Sequence, residues 1–338
     1  MEEANTELLG WANQQFADLG REPLLKIYTL RQEASFRSYY RLSSGLGSFV
    51  GVFSPPDQES NQDFIHFAEF FKNNNVRVPE IICSDPVSGY MIVEDFGDKL
   101  YQTELSRRNY LELYSAALDE IIAIQSCPLD NSMRVFTKEI ALQQMSLFRD
   151  WFLEAFLEMK ISNDDLEVVE KSYQIILSSF FDQPKVLCHF DFESRNLMVL
   201  EDGCAGVLDF QDAIVGPIFL DPVSLLKDLD HAWTDREISG LLNTYLLKAK
   251  KKGLLPDVGE DMFIKWFDFA GMQRQLRILG VLCRLHLRDN KSYRLVDLET
   301  TLIYIIEASK KYDELSRFVV FLESKVFPML RKKMTSIK

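Results

Sequence analysis

Two apolar runs, Lys185–Cys188 and Leu197–Leu200, flank the mostly polar stretch His189-Phe190-Asp191-Phe192-Glu193-Ser194-Arg195-Asn196. Desolvated carboxylate, amide and guanidinium groups cost several kcal/mol unless they pair or bind a cation. A structural network and a metal-assisted site are therefore both open readings. A second cluster, Asp209-Phe210-Gln211-Asp212, follows thirteen residues after Asn196, behind the apolar run Gly206–Leu208. A hard divalent cation such as Mg²⁺ takes a carboxylate and an amide oxygen together with phosphate oxygens, and Asn196 with Asp209 supplies that set. Asp191 then remains as a carboxylate that can orient a hydroxyl and accept its proton, the remaining part that phosphoryl transfer requires.

The elements that must carry these residues can be read from periodicity. Leu8, Ala12, Phe16 and Leu19 recur at helical spacing, and Gly20 stops the helix. Leu24–Leu30, Ser38–Leu42 and Ser48–Phe53 read as an antiparallel meander, ended by Pro55-Pro56. A helix marked by Phe64, Phe67, Ala68 and Phe71 follows, then strand candidates Glu80–Cys83 and Tyr90–Glu94. After Gly97 the pattern turns helical, with Tyr110, Leu113, Ala117, Ile121 and Ile124 on one long helix and helical periodicity to about Ser179. Three short strands, Val186–Cys188, Leu197–Leu200 and Gly206–Leu208, cross this region before helices resume from Asp221. The expectation is an α+β, bilobal chain, with a mainly β lobe over 1–97, a larger helical lobe over 98–338, and the site in the cleft between them.

Composition narrows the function classes. The chain has 338 residues and a net charge of −13, which repels nucleic acid and anionic membrane surfaces. No apolar segment is long enough to span a bilayer, and the N-terminus lacks the pattern of a secretory signal. Five cysteines without a CxxC spacing indicate neither a disulfide framework nor a zinc ribbon, so a cytoplasmic location is expected.

His189-x-Asp191-x4-Asn196 followed by Leu208-Asp209-Phe210 resembles the catalytic loop and metal-binding segment of the protein-kinase-like superfamily, in its aminoglycoside phosphotransferase and choline kinase-like branch. The likeness runs along nearly the whole chain. It is closest to the bacterial anomeric amino-sugar kinases, carried by Glu33–Arg41, Lys185–Asp191, Arg195–Val199, Gly206–Ala213, Gly216-Pro217 through Asp221, and Gly271–Arg277 with Arg288-Asp289. The resemblance implies a protein-kinase-like fold, with Asp191 as catalytic base and Asn196 and Asp209 as Mg²⁺ ligands. It also implies that His189 braces the loop and that Asp221 ties down its backbone, and it makes ATP the donor.

In the same family, Ala34-Ser35-Phe36-Arg37 occupies the place of the loop over the nucleotide phosphates, without its usual glycines. Ser35, Phe36 and Arg37 are the implied phosphate contacts; an ordinary polar hairpin turn, with Arg37 merely solvated, is the alternative. Glu94, Asp95 and Phe96 resemble the segment whose backbone meets the adenine edge. Gln211 and Asp212 are expected to face the acceptor, although Asp212 can equally cap its turn. Arg274, Arg277, Arg284 and Arg288 fall near one helical face. That face would hold the lactyl carboxylate of N-acetylmuramate or pair with neighbouring acids, and Arg274 is the residue assigned to the site. The strand Phe49–Phe53 lacks the lysine that most relatives pair with the α/β-phosphates. The implied activity is phosphorylation of an amino sugar such as N-acetylmuramate or N-acetylglucosamine at its anomeric hydroxyl, in cell-wall recycling. A kinase of an aminoglycoside or choline-like alcohol, and a catalytically silent nucleotide-binding module, are the rivals.

Overall fold

The structure is a computed structural model that describes residues 2–30, 36–45 and 47–337. Its residues form two compact units, one of 1–127 with 193–213 and the other of 128–192 with 214–338. The chain therefore passes from one unit to the other inside the polar stretch, between Phe192 and Glu193, and again between Ala213 and Ile214.

The first unit is built on a five-stranded antiparallel sheet of order β1-β2-β3-β5-β4. Its strands are β1 (Lys26–Thr29), β2 (Ser38–Ser43), β3 (Ser48–Phe53), β4 (Ile81–Asp85) and β5 (Tyr90–Glu94). The expected meander is present as β1-β2-β3, but β5 inserts next to β3 and pushes β4 to the edge. Helix α1 (Glu2–Asp18) lays Ala12 and Phe16 on Leu24, Leu42 and Ile92. Gly51 permits that close approach, because a Cβ there would meet Leu42 Cδ1 at 2.9 Å and Leu8 Cδ2 at 3.1 Å.

Helix α2 (Asn61–Asn73) starts at Ser60, whose hydroxyl accepts the Asp63 N–H. It buries Phe64, Phe67, Ala68 and Phe71. Phe64 and Phe71 both pack on Phe210, at ring-centroid distances of 5.1 and 6.1 Å, so this apolar stripe seats the segment that follows Asp209. After the short α3 (Tyr101–Glu104) and α4 (Tyr110–Gln125), the unit is completed by the hairpin β7 (Leu197–Val199) and β8 (Ala205–Val207), paired Leu197 to Val207.

In the second unit β6 (Lys185–Cys188) pairs antiparallel with β9 (Ile214–Pro217). Around the pair lie α5 (Lys138–Leu147), α6 (Asn163–Phe181), α7 (Leu220–Leu226), α8 (Asp235–Lys251), α9 (Glu260–Asp289), α10 (Leu298–Ser309), α11 (Ser316–Phe321) and α12 (Phe327–Ile337). A π-helical stretch, Phe148–Phe156, continues α5. Thirty-residue α9 is the spine, packed by α5, α6, α7, α10 and the π-helical stretch. Gly280 lets α9 touch the backbone of Leu147, since a Cβ would fall 2.3 Å from the Leu147 carbonyl carbon. Among the described residues no helix is long and apolar enough to cross a membrane.

Candidate active site

The turn after β6 is built in the second unit. His189 is completely buried, and its backbone N–H donates to Asp221 Oδ2 at 2.7 Å. The next N–H, of Phe190, donates to Asp221 Oδ1 at 3.0 Å, and that of Asp191 to His189 Nδ1 at 3.3 Å. Asp221, in the first turn of α7, is itself fully buried. Burial pushes its carboxyl up to about 6, while the two N–H groups and the neighbouring imidazole pull the other way. Phe190 has φ 82°, a conformation costly for a bulky side chain, and the two Asp221 bonds help to hold it. The turn leaves Asp191 half-buried.

Asn196 and Asp209 belong to the first unit and are brought together by the β7–β8 hairpin. The pairing of Leu197 with Val207 sets Asn196 across from Leu208, whose N–H donates to the Asn196 carbonyl at 2.9 Å. Asp209 is the next residue and is exposed, with left-handed backbone at φ 60°, ψ 39°. Asn196 is only 3 % exposed. Gln211 Nε2 donates to Asp209 Oδ1 at 2.7 Å, while Gln211 Oε1 is buried with no hydrogen-bond partner among the described residues. Asp212 is exposed. Among the described residues no cluster of three or more His, Cys, Asp or Glu side chains forms a metal cage. An amide and a carboxylate oxygen fit Mg²⁺, which takes few protein ligands and fills its octahedron with phosphate and water oxygens.

The other residues expected from the sequence on the nucleotide side also lie in the first unit, except Ser35, which is outside the described residues. Phe36 is 65 % exposed, with its N–H donating to Glu59 Oε1 at 3.3 Å. Arg37 is not solvated. It is buried, ion-paired with Glu59 at 3.0 Å, bonded to Ser54 Oγ at 3.2 Å and placed over the Phe64 ring at 5.4 Å. Glu94 takes a two-pronged bond from Arg77 at 2.6 and 2.7 Å, which holds its carboxyl below the usual range. Asp95 takes one from Arg41 at 2.7 and 3.1 Å. Phe96 packs under the Arg77 guanidinium at 4.6 Å.

Arg77 and Glu59 went unnoticed in the sequence. Arg77 is a hub: besides Glu94 and Phe96, its N–H donates to Glu120 Oε2 at 2.8 Å and its carbonyl accepts the Val207 N–H at 2.8 Å. Nothing local marks it, since Glu94, Phe96, Glu120 and Val207 are all distant from it in sequence. The absent strand lysine is confirmed in β3, and Val50 registers against Arg41 of β2, a cation already engaged by Asp95 and Asp98.

The four arginines expected near one helical face all lie on α9. Arg274 is 5 % exposed, donates to the Lys227 carbonyl at 3.2 Å and shares a small pocket lining with Arg277. Arg288 is exposed and paired with its neighbour Asp289 at 2.7 Å, so there the pairing reading holds.

A family model described as "Phosphotransferase enzyme family" matches residues 26–255. A protein named N-acetylmuramate/N-acetylglucosamine kinase from Pseudomonas aeruginosa is 32 % identical over 306 residues, 90 % of each chain. One of the same name from Neisseria meningitidis is 31 % identical over 86 % of this chain and 87 % of its own. Among solved structures, ADP-bound aminoglycoside phosphotransferase APH(2'')-Ib superposes with TM-score 0.61 at 17 % identity, covering 89 % of this chain and 98 % of its own. That likeness bears on the fold, which is protein-kinase-like, as the family resemblance implied.

Proposed function

The chain belongs to the phosphotransferase enzyme family, and from that premise we propose that it uses Mg²⁺ and ATP to phosphorylate the anomeric hydroxyl of an N-acetylated amino sugar. N-acetylmuramate and N-acetylglucosamine are the substrates, and the product is the sugar 1-phosphate. The observation that carries the reading is the 32 % identity, over 90 % of both chains, with a protein named for those two sugars. Recovery of cell-wall sugars in the cytoplasm is the role that fits this activity.

In this mechanism Asp191 orients the acceptor hydroxyl and takes its proton as the new oxygen–phosphorus bond forms and ADP leaves. Asp221 and His189 hold the backbone from which Asp191 projects. Asn196 and Asp209 are the Mg²⁺ ligands, and Gln211 steadies the Asp209 carboxylate. When bound, the cation neutralises charge spreading over the transferred phosphoryl oxygens. On the nucleotide side, Ser35, Phe36 and Arg37 border the phosphates, while the segment Glu94, Asp95, Phe96 presents its backbone to adenine. Because Arg77 and Arg41 occupy the two carboxylates there, the side chains of Glu94 and Asp95 shape that segment and leave its backbone to meet the base.

The test is ADP release with N-acetylmuramate, N-acetylglucosamine, glucose, kanamycin and choline as acceptors. Turnover with the two N-acetylated sugars, and a 1-phosphate product by NMR, is expected. Turnover confined to kanamycin or choline sinks the amino-sugar reading. The missing β3 lysine favours a second reading, a silent nucleotide-binding module; no turnover with any acceptor would leave that one standing.

A further inference from the structure

In an N-acetylated amino sugar the acetamido group sits on the ring carbon next to the anomeric one. A group that reads it therefore has to lie beside the turn that presents Asp191 to the anomeric hydroxyl. A small pocket of the second unit, to which Asp191 also belongs, borders that turn, because Phe190, the residue before Asp191, forms part of its wall. The Phe190 ring lies 5.5 Å from that of Phe136, which meets Phe180 edge-on at 6.0 Å, and the three rings give the pocket an apolar side. The lining also carries two carboxamides, Gln144 of α5 and Gln273 of α9. Gln273 Nε2 donates to Gln144 Oε1 at 3.2 Å, and neither side chain makes a further hydrogen bond among the described residues. One donor, Gln144 Nε2, and one acceptor, Gln273 Oε1, are thus left open. Turning both amides over leaves the same pair, one N–H₂ and one carbonyl oxygen. Gln273 is only 4 % exposed, so an unmet polar group there is costly unless something entering the pocket meets it. The pair is rigidly held, since α5 packs on α9 and Gly280 lets the two helices touch at Leu147. Arg274 and Arg277 also border the pocket but have interactions of their own.

We propose that this pocket receives the N-acetyl group of the acceptor, with Gln144 and Gln273 bonding its amide and the Phe136, Phe180 and Phe190 rings enclosing its methyl. The proposal rests on the sugar-kinase reading above and deepens it. A secondary amide offers one carbonyl oxygen and one N–H, the complement of what the two glutamines leave open. The methyl suits the rings, against which a hydroxyl would be buried without a partner. An acceptor with a hydroxyl in place of the acetamido group leaves the carboxamides incompletely met, and a site built to hydrogen-bond a substrate group discriminates strongly against an analogue that lacks it. N-acetylmuramate and N-acetylglucosamine both carry the group, so the pocket reads what the two sugars share. Phe190 couples this recognition to the chemistry, because an acetamido group seated against its ring sets the neighbouring anomeric hydroxyl beside the next residue, Asp191.

The experiment measures ADP release and calorimetric binding with N-acetylglucosamine, N-propionylglucosamine, N-butanoylglucosamine and glucose, in the wild type, Gln144→Met and Gln144→Glu. Gln144 is half-buried, and methionine keeps its length. Glutamate keeps the acceptor for Gln273 Nε2 and removes only the open N–H₂. In the wild type, affinity and kcat/KM should fall with each added methylene, by about tenfold or more from the acetyl to the butanoyl sugar, because the rings close the pocket. In both variants the values for N-acetylglucosamine should fall by about tenfold or more, while those for glucose change by less than about threefold. The acyl series needs no substitution, so it decides the matter even if a variant fails to fold. A wild type that takes the butanoyl sugar as well as the acetyl one, or that binds glucose as tightly as N-acetylglucosamine, overturns the proposal and leaves the pocket to water. Turnover of N-acetylglucosamine whose preference over glucose survives in the Gln144 variants would reject the pocket and keep the transfer reading. N-acetylglucosamine binding that depends on Gln144, without ADP release from any acceptor, would uphold the pocket and reject the transfer reading.

Discussion

Asp221 Oδ2 accepts the backbone N–H of His189 at 2.7 Å, and the same carboxylate's other oxygen takes the N–H of Phe190 at 3.0 Å. One buried side chain thus fixes two consecutive peptide groups of the turn that carries Asp191. An asparagine there offers only one acceptor oxygen and would set its amide N–H₂ against the other backbone N–H. Asp221→Asn should therefore lower kcat by roughly ten- to a hundredfold, since misplacement by about 1 Å costs on that order. The affinity for MgATP should change little. Steady-state kinetics and nucleotide titration check this, and a variant with wild-type kcat would remove Asp221 from the machinery.

The same carboxyl makes stability depend on pH. Burial raises it from the usual 3.8 to about 6, so between those values the folded state holds a proton that the unfolded chain has released. Its contribution to stability is full below about pH 4 and is lost as pH rises through 6, by roughly 3 kcal/mol. Glu120, pushed up to about 7 by burial, acts in the same direction and remains in any Asp221 variant. The stability difference between wild type and Asp221→Asn, measured by urea unfolding at pH 4.5 and 7.5, should shift in favour of the variant at the higher pH. A difference independent of pH would mean that Asp221 does not titrate in this range.

For Asp191 the expected signature is different. Its side chain is half-buried at the surface of the turn, so its removal leaves the packing of His189 and Phe192 in place. Asp191→Ala should reduce turnover by three orders of magnitude or more, with nucleotide affinity within about twofold and unfolding midpoint unchanged. Turnover near wild type in this variant would reject Asp191 as the base.

Phe96 and Gly206 provide a test of packing beside the proposed adenine-facing segment. A Cβ at position 206 would lie 2.5 Å from Phe96 Cδ2, and Phe96 is also held under Arg77. Gly206→Ala must push the ring or the β8 strand aside, which should cost about 1–3 kcal/mol in urea unfolding and raise KM for ATP more than KM for the sugar. A neutral variant would show that the ring moves freely.

How far these relationships could be foreseen depends on how local they are. Ser48–Phe53 and Tyr90–Glu94 coincide with their expected limits because β-forming residues and the turns that flank them are written in adjacent residues. The order β3-β5-β4 is decided by pairing between distant strands, so the meander did not foretell it. β9 was unforeseen as a strand, since Ile214–Pro217 is a short apolar run with no alternation to read. The π-helical stretch after α5 escaped periodicity for a similar reason, as it changes the backbone pitch without changing the apolar pattern. His189, Asp191, Asn196 and Asp209 could be singled out because polar clusters between apolar runs stand at the spacing of the motif they resemble, and their roles remain the proposal made above. Arg77 was not, because an arginine beside a helix end looks like a solvated charge until Glu94, Phe96 and Glu120 are seen around it.

The last prediction concerns Asp209 and Gln211. Asp209 is exposed, so its carboxylate is free of a large desolvation cost, and Gln211 fixes one oxygen at 2.7 Å. Asp209→Ala removes the proposed cation ligand outright. It should weaken Mg²⁺-dependent nucleotide binding by at least tenfold and raise the Mg²⁺ concentration for half-maximal rate by a similar factor. Gln211→Ala keeps the ligand but lets it rotate, so its effect should run the same way and be several-fold smaller. Nucleotide titrations at fixed ATP and varied Mg²⁺ distinguish the two positions. A Gln211 effect as large as that of Asp209 would make the amide, through the Oε1 that has no partner among the described residues, a direct ligand rather than a support.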